Sequence, residues 1–148
     1  MRILISGASI AGPTAAYWLS KYGHSVTVVE RAPEPRKTGG HAVDLFSPAL
    51  NVMEQMGVLA QVQAKATGTN RGTFFVPRSK RGVEANIEKF VNAGSDRHVE
   101  IMRDDLSEIL TAASEGDVEY IFGDTITAVS PHTGEVRFEH ASPAMFDV

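Results

Sequence analysis

Residues 2–30 read RILISGASIAGPTAAYWLSKYGHSVTVVE. The first five, RILIS, are a short apolar run bounded by glycine, the pattern of a parallel strand covered on both faces. Gly12-Pro13 then opens a helix, because proline is tolerated in a first helical turn, where its missing N–H would have had no partner. Ala15, Ala16, Leu19 and Tyr22 recur at helical spacing, and Gly23 is placed to end the helix in a left-handed conformation. Residues 25–30 (SVTVVE) are rich in β-branched side chains and predict a second strand. Strand, helix and strand in so short a stretch make a βαβ unit, whose crossover is almost always right-handed.

Between the first strand and the helix stands Gly7-Ala8-Ser9-Ile10-Ala11-Gly12, with G-x-G-x-x-G spacing and serine at the middle glycine. Gly7 permits the tight turn off the strand. A small residue at position 9 lets a pyrophosphate approach the backbone, and Gly12 lets the helix pack close to the sheet. The helix N-terminus offers unpaired N–H groups and a partial positive charge to phosphates. Ser9 narrows the approach and adds a hydroxyl. Glu30 ends the second strand, eighteen residues after Gly12. A carboxylate there accepts hydrogen bonds from adenosine ribose hydroxyls and repels a 2′-phosphate. An ordinary βα turn with Glu30 as a surface charge would use the same residue types; the strand before and the helix after favour a dinucleotide site. FAD and NAD both carry an unmodified adenosine ribose, so Glu30 does not separate them.

Outward from this unit, residues 31–46 (RAPEPRKTGGHAVDLF) predict a Pro/Gly-rich loop of a length that is usually functional. Ser47-Pro48 reads as an N-cap followed by proline, opening a helix through Leu50, Met53, Glu54 and Met56 to Gly57. A second short helix is expected over 58–65. Residues 72–77 and 82–90 predict two strands joined at a turn holding Arg78, Lys80 and Arg81. VEIM (99–102) leads into a helix that starts near Arg103-Asp104-Asp105, carries Leu106, Ile109, Leu110 and Ala113, and stops at Gly116. Residues 118–122 predict a strand, and 124–129 with 135–140 a hairpin across Pro131–Gly134. Residues 145–148 look like the start of a further buried strand.

Composition narrows the function classes. The 148 residues and 16.0 kDa suit one domain with one core, and are few for both a dinucleotide and a separate substrate. The formal net charge of -4 gives nucleic-acid binding no electrostatic support. With no cysteine, disulfides, thiolate metal sites and cysteine nucleophiles are excluded, and a reducing cytoplasm is the expected compartment. The five histidines form no HxxxH or HExxH pair, so no metal site is expected. Met1-Arg2 before Ile3-Leu4-Ile5 resembles a signal-peptide start, but Gly7, Gly12 and Pro13 break the run and a buried strand accounts for it better. No segment approaches 18 apolar residues, so no membrane span is expected.

The stretch GASIAGPTAAYWLSKYGHSVTVVERAP, with Arg31 directly after Glu30, resembles the N-terminus of the FAD-dependent aromatic hydroxylases. These are the p-hydroxybenzoate hydroxylase-like flavoprotein monooxygenases, which include the tetracycline-modifying enzymes. Arg36, Gly39-Gly40 and Asp44-Leu45 in the following loop, and EIMRDDLSEIL at 100–110, extend the resemblance over nearly all of the chain. It implies FAD as cofactor, NAD(P)H as transient reductant, O2 as co-substrate and a small aromatic or polyketide-like substrate. It also implies that Gly7 through Gly12 hold the pyrophosphate and Glu30 the ribose. Arg31 would lie near the adenine end, Arg36 and Asp44 near the flavin. Arg103 would contact the pyrophosphate or ribityl region, a role that suits a guanidinium beside a helix start; its alternative is an ion pair with Asp104, Asp105 or another carboxylate. His41 is incidental, and Trp18 and Tyr22 belong to helix packing.

No catalytic side chain and no metal ligand are expected, since the flavin carries the chemistry. The family's aspartate-glycine motif, which follows a strand beginning like Phe146-Asp147-Val148, and its later glycine-aspartate motif have no counterpart here. The sequence therefore reads as the N-terminal part of a longer hydroxylase, with a second chain as one source of the missing part. The expected fold is α/β: a Rossmann-like FAD-binding βαβ domain over 1–148, with 68–98 a partial substrate-side β insertion. The other readings are a non-catalytic FAD- or nucleotide-binding module and an NAD-dependent dehydrogenase.

Overall fold

A computed structural model describes residues 1–35, 41–68, 71–75, 82–86 and 97–148. Two compact units emerge, one formed by Met1–His41 with Arg103–Val148, the other by Ala42–Met102.

The first unit is built on a parallel sheet. Strands β1 (Arg2–Ser6) and β2 (Ser25–Glu30) pair in parallel, from Arg2 opposite Ser25 to Ser6 opposite Val29. Helix α1 (Ala11–Lys21) connects them, and Gly23 follows it at φ +83°. A third strand, Val118–Phe122, lies parallel to β2 on its other side, so β2 is central. Both faces are covered, which is why the strands read as near-continuous apolar runs. Ile3, Val26, Val28 and Val118 pack with Ala16 and Leu19 of α1. On the opposite face, Val29, Leu4 and Ile121 pack with Val136, Phe138 and Phe146. Of the stripe expected on α1, Ala16 is buried and Leu19 joins the core. Ala15 and Tyr22 are exposed, because Tyr22 caps the helix end and turns out of the core-facing row.

The second unit contains β3 (Ala42–Phe46), α2 (Ser47–Gln55), α3 (Leu59–Ala64), β4 (Arg71–Phe75), β5 (Gly82–Asn86) and β6 (His98–Met102). Two expectations are corrected here. The loop predicted for 31–46 ends early, because Ala42–Phe46 is a strand pairing antiparallel with β6, Ala42 opposite Met102 and Phe46 opposite His98. Ser47 is the first helical residue rather than the N-cap; that place is taken by Phe46 in an extended conformation, with no side-chain cap. The VEIM stretch is itself strand β6. β4 and β5 form the antiparallel pair expected there, while the basic turn with Arg78, Lys80 and Arg81 lies outside the described residues.

Back in the first unit, α4 (Arg103–Ser114) buries Leu106, Ile109, Leu110 and Ser114. Ser114 takes the buried place expected for Ala113 and satisfies its hydroxyl with Tyr120 Oη at 2.7 Å. β7 (Val118–Phe122) follows, then the hairpin of β8 (Ile126–Val129) and β9 (Glu135–Phe138). The expected terminal strand starts one residue earlier and is short: β10 (Ala144–Met145) pairs with β9. Beyond it the Asp147 amide donates to the Arg2 carbonyl, and Val148 O accepts from Leu4.

Candidate dinucleotide site

The turn leaving β1 is fixed from three sides. Gly7 takes φ +105°, a left-handed value that favours glycine, and its N–H donates to Val29 O at 2.7 Å. Gly12 is buried with no room beyond its hydrogen. A Cβ there would lie 1.9 Å from the Gly7 carbonyl oxygen and 3.4 Å from Ile5 Cγ2. Helix α1 can therefore start directly on the turn only because position 12 is glycine.

Glu30 joins the end of β2 to the same turn. Its Oε2 accepts the Ala8 N–H at 2.9 Å and its Oε1 the Ala32 N–H at 2.8 Å. The carboxylate is thus a structural part of the turn, which neither a simple surface charge nor a pure ribose ligand would be. A carboxylate oxygen has lone pairs for more than one such bond.

The N-terminus of α1 has no side-chain cap and no acidic residue in its first turn. Among the described residues, the amides of Ser9, Ile10, Ala11 and Gly12 make no hydrogen bond. These are the donors that a helix start presents to a phosphate. The residues fit a pyrophosphate: small side chains, open amides, and a partial positive charge with no carboxylate in the helix's first turn to oppose it.

Helix α4 adds a cation. Arg103 directs Nε–H (3.1 Å) and Nη2–H (2.9 Å) at the single Oγ of Ser9. Its backbone N–H donates to His41 O, and Ser107 one turn later donates to Ala8 O at 3.1 Å. The ion pair with Asp104 or Asp105 does not form; among the described residues Arg103 pairs with no carboxylate. Ser107 escaped the sequence reading, although its spacing of four from Arg103 puts both on one helix face.

The remaining candidates fall elsewhere. Arg31 is exposed directly after β2. Arg36 lies outside the described residues. Asp44 belongs to the second unit, where its Oδ1 lies 2.7 Å from His98 Nε2 and the His98 ring lies against Phe46. No group of three or more His, Cys, Asp or Glu that could hold a metal occurs among the described residues.

Asp124, also unforeseen, braces the neighbouring hairpin. Its buried carboxylate accepts the amides of Thr125, Glu139, His140 and Ala141 at 2.7–3.1 Å, and its own amide donates to Glu30 O. Burial pushes this carboxyl up, but the four backbone N–H groups outweigh burial and hold it below the usual carboxylate range.

Residues 1–142 match the FAD binding domain family. An uncharacterized protein of Mycobacterium tuberculosis is 42% identical over 150 residues, which span 99% of this chain and 40% of that protein. A flavin-dependent monooxygenase of Legionella longbeachae is 35% identical over 136 residues, 92% of this chain and 34% of that protein. The crystal structure of tetracycline destructase Tet(51) superposes with a TM-score of 0.77 at 32% identity, covering 99% of this chain and 36% of that one. The chain thus spans well under half the length of these relatives. No described helix is long and apolar enough to cross a membrane.

Proposed function

This chain belongs to the FAD binding domain family, and from that premise we propose that it is the FAD-binding portion of a flavoprotein monooxygenase. The whole protein would hydroxylate a small aromatic or polyketide-like substrate with NAD(P)H and O2. The names of the Legionella longbeachae and tetracycline destructase relatives support this reaction class. The observation that carries the reading is the gathering of Glu30, the open amides at Ser9–Gly12 and Arg103 around one turn of one compact unit.

In this reading the amides of Ser9–Gly12 and the guanidinium of Arg103 bind the pyrophosphate. Glu30, held by Ala8 and Ala32, accepts from the adenosine ribose and disfavours a 2′-phosphate. Arg31, directly after β2, lies near the adenine. FAD, when bound, supplies the redox and oxygen-transfer chemistry, and the chain supplies binding and orientation. The absence of cysteine suits a reducing cytoplasm.

The absorbance spectrum of the purified chain, before and after added FAD, tests the proposal. Flavin bands that stay with the protein through gel filtration are expected. A colourless chain that rejects FAD but binds NAD would overturn it.

A further inference from the structure

Ser9 stands where the G-x-G-x-x-G spacing has its middle glycine, and a side chain there takes room from a pyrophosphate. Its hydroxyl is nevertheless engaged in one specific contact. Both N–H groups on one edge of Arg103, Nε and Nη2, converge on Ser9 Oγ at 3.1 and 2.9 Å. A hydroxyl oxygen has two lone pairs and one proton. With both lone pairs taken by the guanidinium, the proton is left to be donated away from it. Arg103 for its part has five N–H donors, of which Ser9 uses two. The three left over include the pair on the Nη1–Nη2 edge, the fork that takes two oxygens of a phosphate side by side.

From this geometry we infer that Ser9 is a positioning residue for Arg103. It holds the exposed guanidinium at the glycine turn with its free fork turned outward, and it adds its own O–H as a further donor to the same anion. A long arginine side chain loses rotamer freedom when immobilised. The Ser9 contact takes part of that loss before ligand arrives. The start of α4 is already tied down by Arg103 N–H to His41 O and by Ser107 Oγ to Ala8 O, so the anchor has a fixed base. The inference rests on the FAD reading above and adds a consequence that the glycine spacing alone would reverse. Ser9→Gly restores the glycine and widens the turn, yet it weakens FAD binding.

The test is a double-mutant cycle on the whole 148-residue chain: wild type, Ser9→Gly, Ser9→Ala, Arg103→Ala and the Ser9→Gly/Arg103→Ala pair. FAD affinity is followed by quenching of flavin fluorescence, and folding of every variant by thermal unfolding. Ser9→Gly and Ser9→Ala should each weaken binding about tenfold, ~1.4 kcal/mol. Ser9→Ala keeps the Cβ, so a loss in both variants tracks the missing oxygen rather than glycine flexibility. In the Arg103→Ala background Ser9→Gly should cost much less. A ligand-free readout accompanies it: the Arg103 Nε–H resonance of the 15N-labelled chain should move and exchange faster in both Ser9 variants. Ser9→Gly binding FAD as tightly as the wild type or more so, losses that simply multiply, or an unmoved Nε resonance would each overturn the role of Ser9. A wild-type chain that takes up no FAD would instead overturn the proposed function, and this inference with it.

Discussion

At Gly12 a Cβ would sit 1.9 Å from a backbone oxygen that has no soft neighbour to yield, so any side chain must push α1 off the turn. Gly12→Ala should destabilise the chain by about 1–3 kcal/mol, the usual cost of forcing a methyl into a filled site. Denaturant unfolding measures this, and FAD uptake should fall with it. Glu30 acts differently, because its two oxygens hold the amides of Ala8 and Ala32. Glu30→Ala should weaken FAD binding by about 1.5–3 kcal/mol, the range for hydrogen bonds to a charged group. It should also lower the melting temperature, since two part-buried amides lose their acceptor. Unchanged affinity would remove Glu30 from the site. Asp124 gives a pH signature. Its folded-state value lies below the ordinary carboxylate value, so its contribution to stability is complete above that ordinary value and is lost as pH falls through the folded one. Asp124→Asn should therefore be less stable than wild type at neutral pH, with the gap closing in acid. Thermal unfolding from pH 7 down to pH 2 follows this, and a gap that does not narrow would count against the four-amide explanation.

Among the elements, α4 links core and site: Leu106 and Leu110 are fully buried on the helix that carries Arg103 and Ser107. Leu110→Ala should cost about 2–5 kcal/mol, the range for a buried leucine cut to alanine. Equilibrium urea unfolding reads this directly. The elements also show where sequence suffices. β1, α1 and β2 were legible because each carries its own periodicity and their partners lie within thirty residues. β3 was hidden in a Pro/Gly-rich stretch because its only cue is the short alternation of Val43 and Leu45, and its partner β6 is more than fifty residues away. The glycine turn and Glu30 were readable from spacing. The grip of Arg103 on Ser9 was not, since 94 residues separate them and nothing local to either reports the other. Asp124 was invisible for a similar reason: three of its four amides come from Glu139–Ala141, just after the far strand of the hairpin.

For the whole molecule, the division into two units places the glycine turn, Glu30 and Arg103 together in the first and Asp44 in the second. The central claim concerns the first: its turn, and not merely its fold, holds FAD. An 15N-edited NMR titration of the chain with FAD tests this most directly. FAD should shift the amides of Ser9 to Gly12, the amide of Arg31 and the side-chain Nε–H of Arg103, and NADP should fail to displace it. Shifts confined to other residues, or a chain that answers to NAD and not to FAD, would contradict the account.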